Sequence, residues 1–378
     1  MISESAPAPA GFKANSDRHL YVDLFRGLLM AHMALDHASL FFNPGKFGNE
    51  LASGPMPMPT SLWQFLARFT GVFVAPGFSF MAGFMVAVTS ASREERGRDA
   101  WDVTRKLIVR GLVLIGAEAL VFSLPFGQFR FEVLSCLGTC LIIVALLRRL
   151  PSTVLAPIAI GIMALHSRFE LGGLPDWLRA VLHDPHPMKY KGFFKVLYPV
   201  FPWVGVMLFG LVVGRETSRR ARPIPIWLTL SAVFAALFFV VRLTGWGNAW
   251  PHSGIGDVTF WIFAKYPPDL PWLTFSLAVI FALLAFLKSQ QDRAWIHVLD
   301  PIRTIGRVPF FFYLVHFIVL FLATLPCPRD PKHPDGPVPV GLLGAGAIWL
   351  ALLFAMLWPC AWYYRMKSER PNVVTRYL

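Results

Sequence analysis

The sequence predicts an all-α integral membrane protein with about ten transmembrane helices and with both termini in the cytoplasm. Of the 378 residues, 55% are hydrophobic and only 15% are charged, a composition more apolar than that of a soluble globular protein. Long apolar stretches recur, and each approaches the roughly 18 to 20 residues that a helix needs to cross the hydrocarbon core. Lys and Arg residues collect in alternate loops, as the positive-inside rule requires.

The apolar stretches divide the chain into ten predicted spans. Five of them contain no charged residue: 69–92, 196–214, 224–241, 270–287 and 338–364. Five less uniform stretches complete the count: 20–42, 107–125, 131–147, 151–166 and 307–325. We therefore predict one transmembrane domain, 20–367, between a disordered cytoplasmic tail, 1–19, and a second cytoplasmic tail, 368–378.

The distribution of basic residues tests this topology. With the N-terminus inside, the inner segments hold twenty-one Lys and Arg residues and the outer loops hold ten. The net charge of +13 thus follows from topology, so membrane lipids rather than nucleic acids are the expected partners. The first residues lack the basic start and apolar core of a cleavable signal. No Cys or His spacing indicates a metal site, and a homodimer is compatible with the sequence.

The first predicted helix carries Asp23, Arg26 and His37. An ionisable residue inside a membrane helix costs about 2.5 to 3.5 kcal/mol, so such residues usually face a functional site. Arg26 and His37 lie about 20° apart around the helix and about 16 Å apart along it. Asp23 can pair with Arg26 one turn away, but about 21 Å of helix separates Asp23 from His37 and excludes a catalytic dyad of these two.

Two other helices place ionisable residues near the depth of His37. Glu118 and His316 both fall near mid-membrane, within about two helical turns of His37. We therefore predict a catalytic cluster of His37, Glu118 and His316. The structural alternative is an interhelical hydrogen bond for Glu118 and His316, and a helix-end ion pair for Asp23 with Arg26.

A set of motifs through most of the chain resembles one family. The motif Asp23-Leu-Phe-Arg26-Gly27, followed by His37, is similar to the opening of the transmembrane acyltransferases. These include the acyltransferase-3 proteins and, closer to this chain, bacterial relatives of heparan-α-glucosaminide N-acetyltransferase. Further similar motifs follow in order: PGFSFMAGF (76–84), RGLVLIGAE (110–118), LYPVFPWVGVMLFGLVVGR (197–215), KYPP (265–268), IGRVPFFFYLVHF (305–317) and WPCAWYYRMK (358–367).

The resemblance implies a reaction and a donor. An acyl group, often acetyl from acetyl-CoA, would pass from the cytoplasmic side of a bacterial inner (plasma) membrane to a hydroxyl or amine of a carbohydrate or glycan. Arg26, with Asp23 and Arg110, would bind the acyl-CoA. His37 matches the essential first-helix histidine of the acyltransferase-3 proteins. In one departure, the lysosomal heparan enzyme has its catalytic histidine about eleven residues later, where this chain has Gly48.

Two mechanisms and two other protein classes remain open from the sequence. His37 would act as a general base towards the acceptor or would form an acyl-histidine intermediate. A proton-coupled transporter or flippase of a sugar or lipid-linked substrate would use the same buried charges as a relay. That class predicts two halves with matching broken helices, which the sequence does not show. A third class is an inactive acyltransferase fold that serves as a membrane subunit.

Overall fold

A computed structural model describes residues 20–46, 50–124, 127–169, 171–184, 194–218, 220–328, 330 and 336–369. The predicted N-terminal tail, 1–19, lies outside the described residues, as do Gly48 and residues 370–378. The predicted boundary at 368 falls inside the last helix, which continues to Glu369.

The described chain is almost entirely helical. Its α-helices are α1 (Leu20–Phe42), α2 (Leu62–Phe69), α3 (Val74–Glu95), α4 (Ala100–Ala117), α5 (Val133–Leu147), α6 (Ser152–Leu165), α7 (Asp176–Leu182), α8 (Val200–Thr217), α9 (Ile224–Thr244), α10 (Leu270–Gln290), α11 (Asp300–Arg307), α12 (Pro309–Thr324) and α13 (Gly341–Glu369). A π-helical turn, Glu118–Ser123, extends α4. Two short strands, β1 (Phe129–Phe131) and β2 (Phe194–Val196), pair in parallel with Phe129 opposite Phe194.

Each of the ten predicted spans coincides with a helix, which confirms the all-α prediction. Within the described residues, five helical segments are long and apolar enough to cross a membrane: Leu62–Glu95, Val200–Thr217, Ile224–Thr244, Leu270–Gln290 and Gly341–Glu369. A sixth is added if the bent pair Ala294–Arg307 and Pro309–Thr324 counts as one span. Helices α5 and α6 are short, with 15 and 14 residues, and α1 and α4 carry charges. The count of ten spans and the location of the termini stay predictions.

Helices α9 and α13 expose most of their apolar surface, which suits a lipid environment. Only 17% of the most apolar window of α9 is buried inside the protein, and the same holds for α13. Leu343, Phe354 and Trp358 on α13 are each at least 72% exposed. Contiguous apolar surface of this extent is not maintained in water. These helices therefore face lipid, as expected of a multi-pass membrane protein.

Helix α1 packs against five other helices: α3, α10, α11, α12 and α13. Its N-terminal half, including Phe25 and Leu29, joins the large apolar core around α3, α8 and α10. Its C-terminal half, including Met33 and Phe42, joins a second core with α12 and α13. The predicted functional helix is thus fixed along its whole length.

The backbones of α1 and α11 touch at two glycines. A Cβ atom at Gly306 would overlap the carbonyl oxygen of Asp23, and one at Gly27 would overlap that of Ile302. Helix α11 ends at Arg307, and α12 starts at Pro309 after a bend of 85°. Proline suits the first position of a helix because that position needs no N–H donor. The glycine contact therefore determines where α12 begins relative to Arg26.

We expect Gly306→Ala to lower the free energy of unfolding by about 1 to 3 kcal/mol, the usual cost of overpacking a close contact. The matched control is Gly346→Ala in α13, where a Cβ meets nothing within 4 Å. Helix propensity alone favours alanine by up to about 1 kcal/mol, so the control should be neutral or stabilising. Thermal unfolding in detergent measures both variants. Equal melting temperatures would contradict the close approach of α1 and α11.

Candidate active site

A hydrogen bond between two histidines joins the C-terminal half of α1 to α12. Nδ1 of His37 lies 2.8 Å from Nε2 of His316. His316 is fully buried, with 0% of its surface exposed, whereas His37 is half-buried. The sequence places these residues 279 positions apart. The structure therefore brings together two of the three predicted catalytic residues.

The two imidazole rings lie edge to edge in one plane. Their planes differ by 7°, and their centroids are 5.1 Å apart. With the nitrogens at 2.8 Å, this centroid separation requires both nitrogens to lie on the line between the ring centres. The hydrogen bond is thus close to linear, the geometry in which it is strongest.

The backbone of α12 determines which nitrogens carry protons when both rings are neutral. Nδ1 of His316 lies 2.8 Å from the carbonyl oxygen of Phe312. A carbonyl oxygen only accepts, so Nδ1 of His316 must donate to it and Nε2 must be unprotonated. Nε2 of His316 then accepts from Nδ1 of His37. Nε2 of His37 is left with a free lone pair, the form that a general base requires.

Glu118, the third predicted catalytic residue, occupies a different environment. Its Oε2 atom accepts hydrogen bonds from the backbone N–H groups of Leu134 at 2.7 Å and Ser135 at 3.2 Å. These groups belong to the first turn of α5, whose N–H donors have no partner within the helix. Glu118 therefore caps α5, and the structure does not bring it into contact with His37. Its catalytic role stays a prediction, while its contacts favour a structural role.

A cavity of about 210 Å³ lies next to these residues, towards the N-terminal half of α1. Helices α1, α4 and α12 each contribute to its wall and then continue to one predicted catalytic residue. Its walls are mainly apolar, and the lining residues include Met30, Met81, Met85, Leu107, Leu114, Leu134, Leu137, Leu141, Phe310 and Tyr313. The ring of Tyr313 lies 5.9 Å from the ring of His316. The cavity therefore ends next to the histidine pair, with Tyr313 between the cavity and His316.

Cationic groups line the opposite end of the same cavity. Arg26 and Arg110, two of the predicted cofactor-binding residues, both belong to its wall. Arg93 acts electrostatically on Arg110, and Lys367 experiences the charges of both Arg110 and Arg26. Pro309 and Phe310, at the start of α12, also line the cavity.

Asp23, the remaining predicted cofactor-binding residue, lies behind Arg26 and outside the cavity wall. Its carboxylate is 3.9 Å from Arg26 and 3.8 Å from Arg307. The predicted pairing of Asp23 with Arg26 is present, and the pair connects α1 to the end of α11. Asp23 is therefore suited to holding Arg26 in place rather than to contacting an anion.

A second charged cluster lies beside His37, around the C-terminal half of α1, and the sequence analysis did not identify it. Asp36 pairs with Lys46 at 3.3 Å and with Lys265 at 3.8 Å, and Arg68 pairs with Glu50 at 2.7 Å. Burial lowers the pKa of the Lys265 ammonium, and the Arg68 guanidinium lowers it further. These contacts join loops that are distant in the sequence. The KYPP motif (265–268), which contains Lys265, was therefore their only signal in the sequence.

The fold and the site define a class of protein: a helical membrane protein with a histidine pair above an apolar cavity that ends in arginines. The family model for heparan-α-glucosaminide N-acetyltransferase, catalytic, matches residues 18–244. No curated protein matches the chain. The chain therefore belongs to this family of transmembrane acetyltransferases, which confirms the resemblance noted in its motifs. The matched region contains His37, Glu118, Arg26 and Arg110, whereas His316 lies beyond it.

We expect Glu118→Ala to lower the free energy of unfolding by about 1 to 3 kcal/mol, because two buried N–H groups lose their acceptor. Glu118→Gln should be milder because the amide retains one acceptor oxygen. The exposed Glu369 provides the control, as Glu369→Ala should leave the thermal unfolding midpoint unchanged. If Glu118→Ala also left it unchanged, the capping role would be wrong.

Proposed function

We propose that this protein transfers an acetyl or other short acyl group from acyl-CoA on the cytoplasmic side to a hydroxyl or amine of a carbohydrate. One observation carries the proposal: arginines line one end of a single cavity, and the histidine pair lies beyond the other end. This arrangement matches a donor that has phosphates at one end and a thioester at the other. The sequence similarity supports a bacterial inner membrane as its location.

The inner end of the cavity suits the phosphates of CoA. Arg26 and Arg110 supply charge-assisted hydrogen bonds to the phosphate oxygens. The apolar walls suit the pantetheine arm, which carries no charge. About 16 Å of helix rise separates Arg26 from His37, which is comparable with the extended length of that arm.

His37 is the general base in this proposal. Its free Nε2 takes a proton from the acceptor hydroxyl or amine as that group attacks the thioester carbonyl carbon. The carbon–sulfur bond then breaks, and the proton passes from His37 to the CoA thiolate. His316 stabilises the charged intermediate because Nε2 of His316 can accept the Nδ1 proton of His37. The acyl-histidine variant begins from the same free Nε2, which would attack the thioester itself.

The carbohydrate acceptor reaches His37 from the outer side. The cluster of Asp36, Lys46 and Lys265 is the polar surface adjacent to His37 on that side, and its paired charges can exchange hydrogen bonds with sugar hydroxyls. Donor and acceptor thus approach the base from opposite ends of α1. Membrane lipids surround the protein, and neither the reaction nor the site requires nucleic acid or a second copy of the chain.

We expect His37→Ala to lower the rate of acetyl transfer about 10²- to 10⁴-fold, the usual contribution of a general base. Purified protein is incubated with acetyl-CoA and a panel of amino sugars and glycans, and release of free thiol is followed. His32→Ala is the matched control, because His32 lies on the same helix and donates to the Leu28 carbonyl oxygen, 3.1 Å away.

Three results would contradict this proposal. One is that the wild-type protein releases no thiol with any acceptor, and another is that His37→Ala retains the wild-type rate. Substrate uptake into proteoliposomes without thiol release would support a transporter instead. In the same assay the rate of Glu118→Gln should stay within a few-fold of the wild-type rate. A loss of rate as large as that of His37→Ala would show that Glu118 takes part in catalysis.

We expect Arg26→Met and Arg110→Met each to weaken CoA binding about ten- to a hundredfold, because a hydrogen bond to a charged group contributes about 1.5 to 3 kcal/mol. Arg105→Met is the control, since Arg105 also lies on α4 but its side chain is 67% exposed. Isothermal titration with CoA measures all three variants. Equal affinities would show that the phosphates bind elsewhere.

A further inference from the structure

Tyr313 occupies the boundary between the cavity and the histidine pair. It lines the cavity and lies one helical turn before His316 on α12. Only 8% of its surface is exposed. Its ring contacts that of His316 edge-on, with an angle of 69° between the planes. Tyr313 is thus the polar residue of the cavity wall nearest to the candidate base.

The hydroxyl of Tyr313 makes no hydrogen bond within the described part of the chain. Buried polar groups in proteins almost always have a partner. The oxygen is also not enclosed by protein, in contrast with the hydroxyl of Tyr363, which is equally unpaired but completely sealed. A cavity-lining hydroxyl of this kind is available to bind a group inside the cavity.

The phenol ring is held in position by aromatic neighbours. Phe122, on the π-helical turn after α4, packs edge-on against Tyr313 with ring centroids 5.7 Å apart. Phe122 packs in the same manner against Phe317, at 4.8 Å. A hydroxyl on a fixed ring in an apolar cavity is a preorganised donor, the type that stabilises developing charge most effectively.

We propose that the Tyr313 hydroxyl is a catalytic hydrogen-bond donor to the thioester carbonyl oxygen of the acyl donor. This inference rests on the proposed function. When the acceptor attacks the carbonyl carbon, a carbon–nitrogen or carbon–oxygen bond forms and the carbonyl oxygen receives the electron pair. Tyr313 donates to that oxyanion while His37 takes the acceptor proton. The carbonyl then re-forms, the carbon–sulfur bond breaks, and the thiolate receives the proton from His37.

The position of the acyl donor in the cavity follows from where its phosphates bind. With the phosphates at Arg26 and Arg110, the thioester lies at the far end of the cavity, where Tyr313 is the lining residue with a free donor. His316 cannot take this role, because its Nδ1 proton is committed to Phe312 and its Nε2 accepts from His37. The histidine pair therefore handles the proton, and a separate group is needed for the oxyanion.

The test compares Tyr313→Phe with Tyr363→Phe, since each variant removes a single unpaired hydroxyl from a buried ring. We expect Tyr313→Phe to lower kcat about 10²- to 10³-fold, as loss of an oxyanion donor does. The dissociation constant for CoA and the pH dependence of kcat should stay as in wild type. Tyr363→Phe should retain the wild-type kcat.

Each alternative outcome has a distinct meaning. If His37→Ala abolishes transfer but Tyr313→Phe retains the wild-type kcat, Tyr313 is not the oxyanion donor and the proposed function stands. If Tyr313→Phe weakens CoA binding or shifts the pH profile in proportion to its loss of rate, its role is to position the donor or His316, and the inference is wrong. If wild-type protein transfers no acyl group, both proposals are wrong.

Discussion

The hydrogen bond between His37 and His316 is the interaction on which the account of this site depends. It joins two helices in a membrane domain, where an unpaired polar group has no water to bind and is therefore costly. Because the backbone carbonyl of Phe312 fixes the proton of His316, the bond also fixes the proton of His37. One structural contact thus holds α1 against α12 and leaves Nε2 of His37 unprotonated in the neutral pair.

The rest of the site follows from the length of α1. Its 23 residues carry Arg26 near one end and His37 near the other, and its close contact with α11 through Gly27 and Gly306 places the end of α11 beside Arg26. The cavity between α1, α3, α4, α5 and α12 then runs from the arginines to Tyr313, whose ring contacts that of His316. A donor with charged and reactive ends fits this arrangement, and an acceptor can approach from the opposite face.

The sequence predicted the helices well because apolar run length and period are local properties. It also predicted that Arg26 and His37 share a side of α1, and that Asp23 pairs with Arg26, since both follow from helix geometry. Similar depths in the membrane led to the prediction that Glu118 and His316 approach His37. Depth does not show which side chains face each other, so it could not distinguish His316, which contacts His37, from Glu118, which does not. Glu118 instead caps α5 because the chain turns back after the π-helical segment. The pairing of Asp36 with Lys265 joins distant loops, and no local pattern predicts it.

The protonation of the histidine pair can be measured directly by ¹⁵N NMR of the membrane-embedded protein labelled at histidine, with His37→Ala and His316→Ala used for assignment. The expected result is that in the neutral pair Nδ1 of His37 is protonated, that Nε2 of His37 and Nε2 of His316 are unprotonated, and that a coupling crosses the hydrogen bond between the rings. A proton on Nε2 of His37 in the neutral pair would contradict it, because His37 would then have no lone pair for the acceptor.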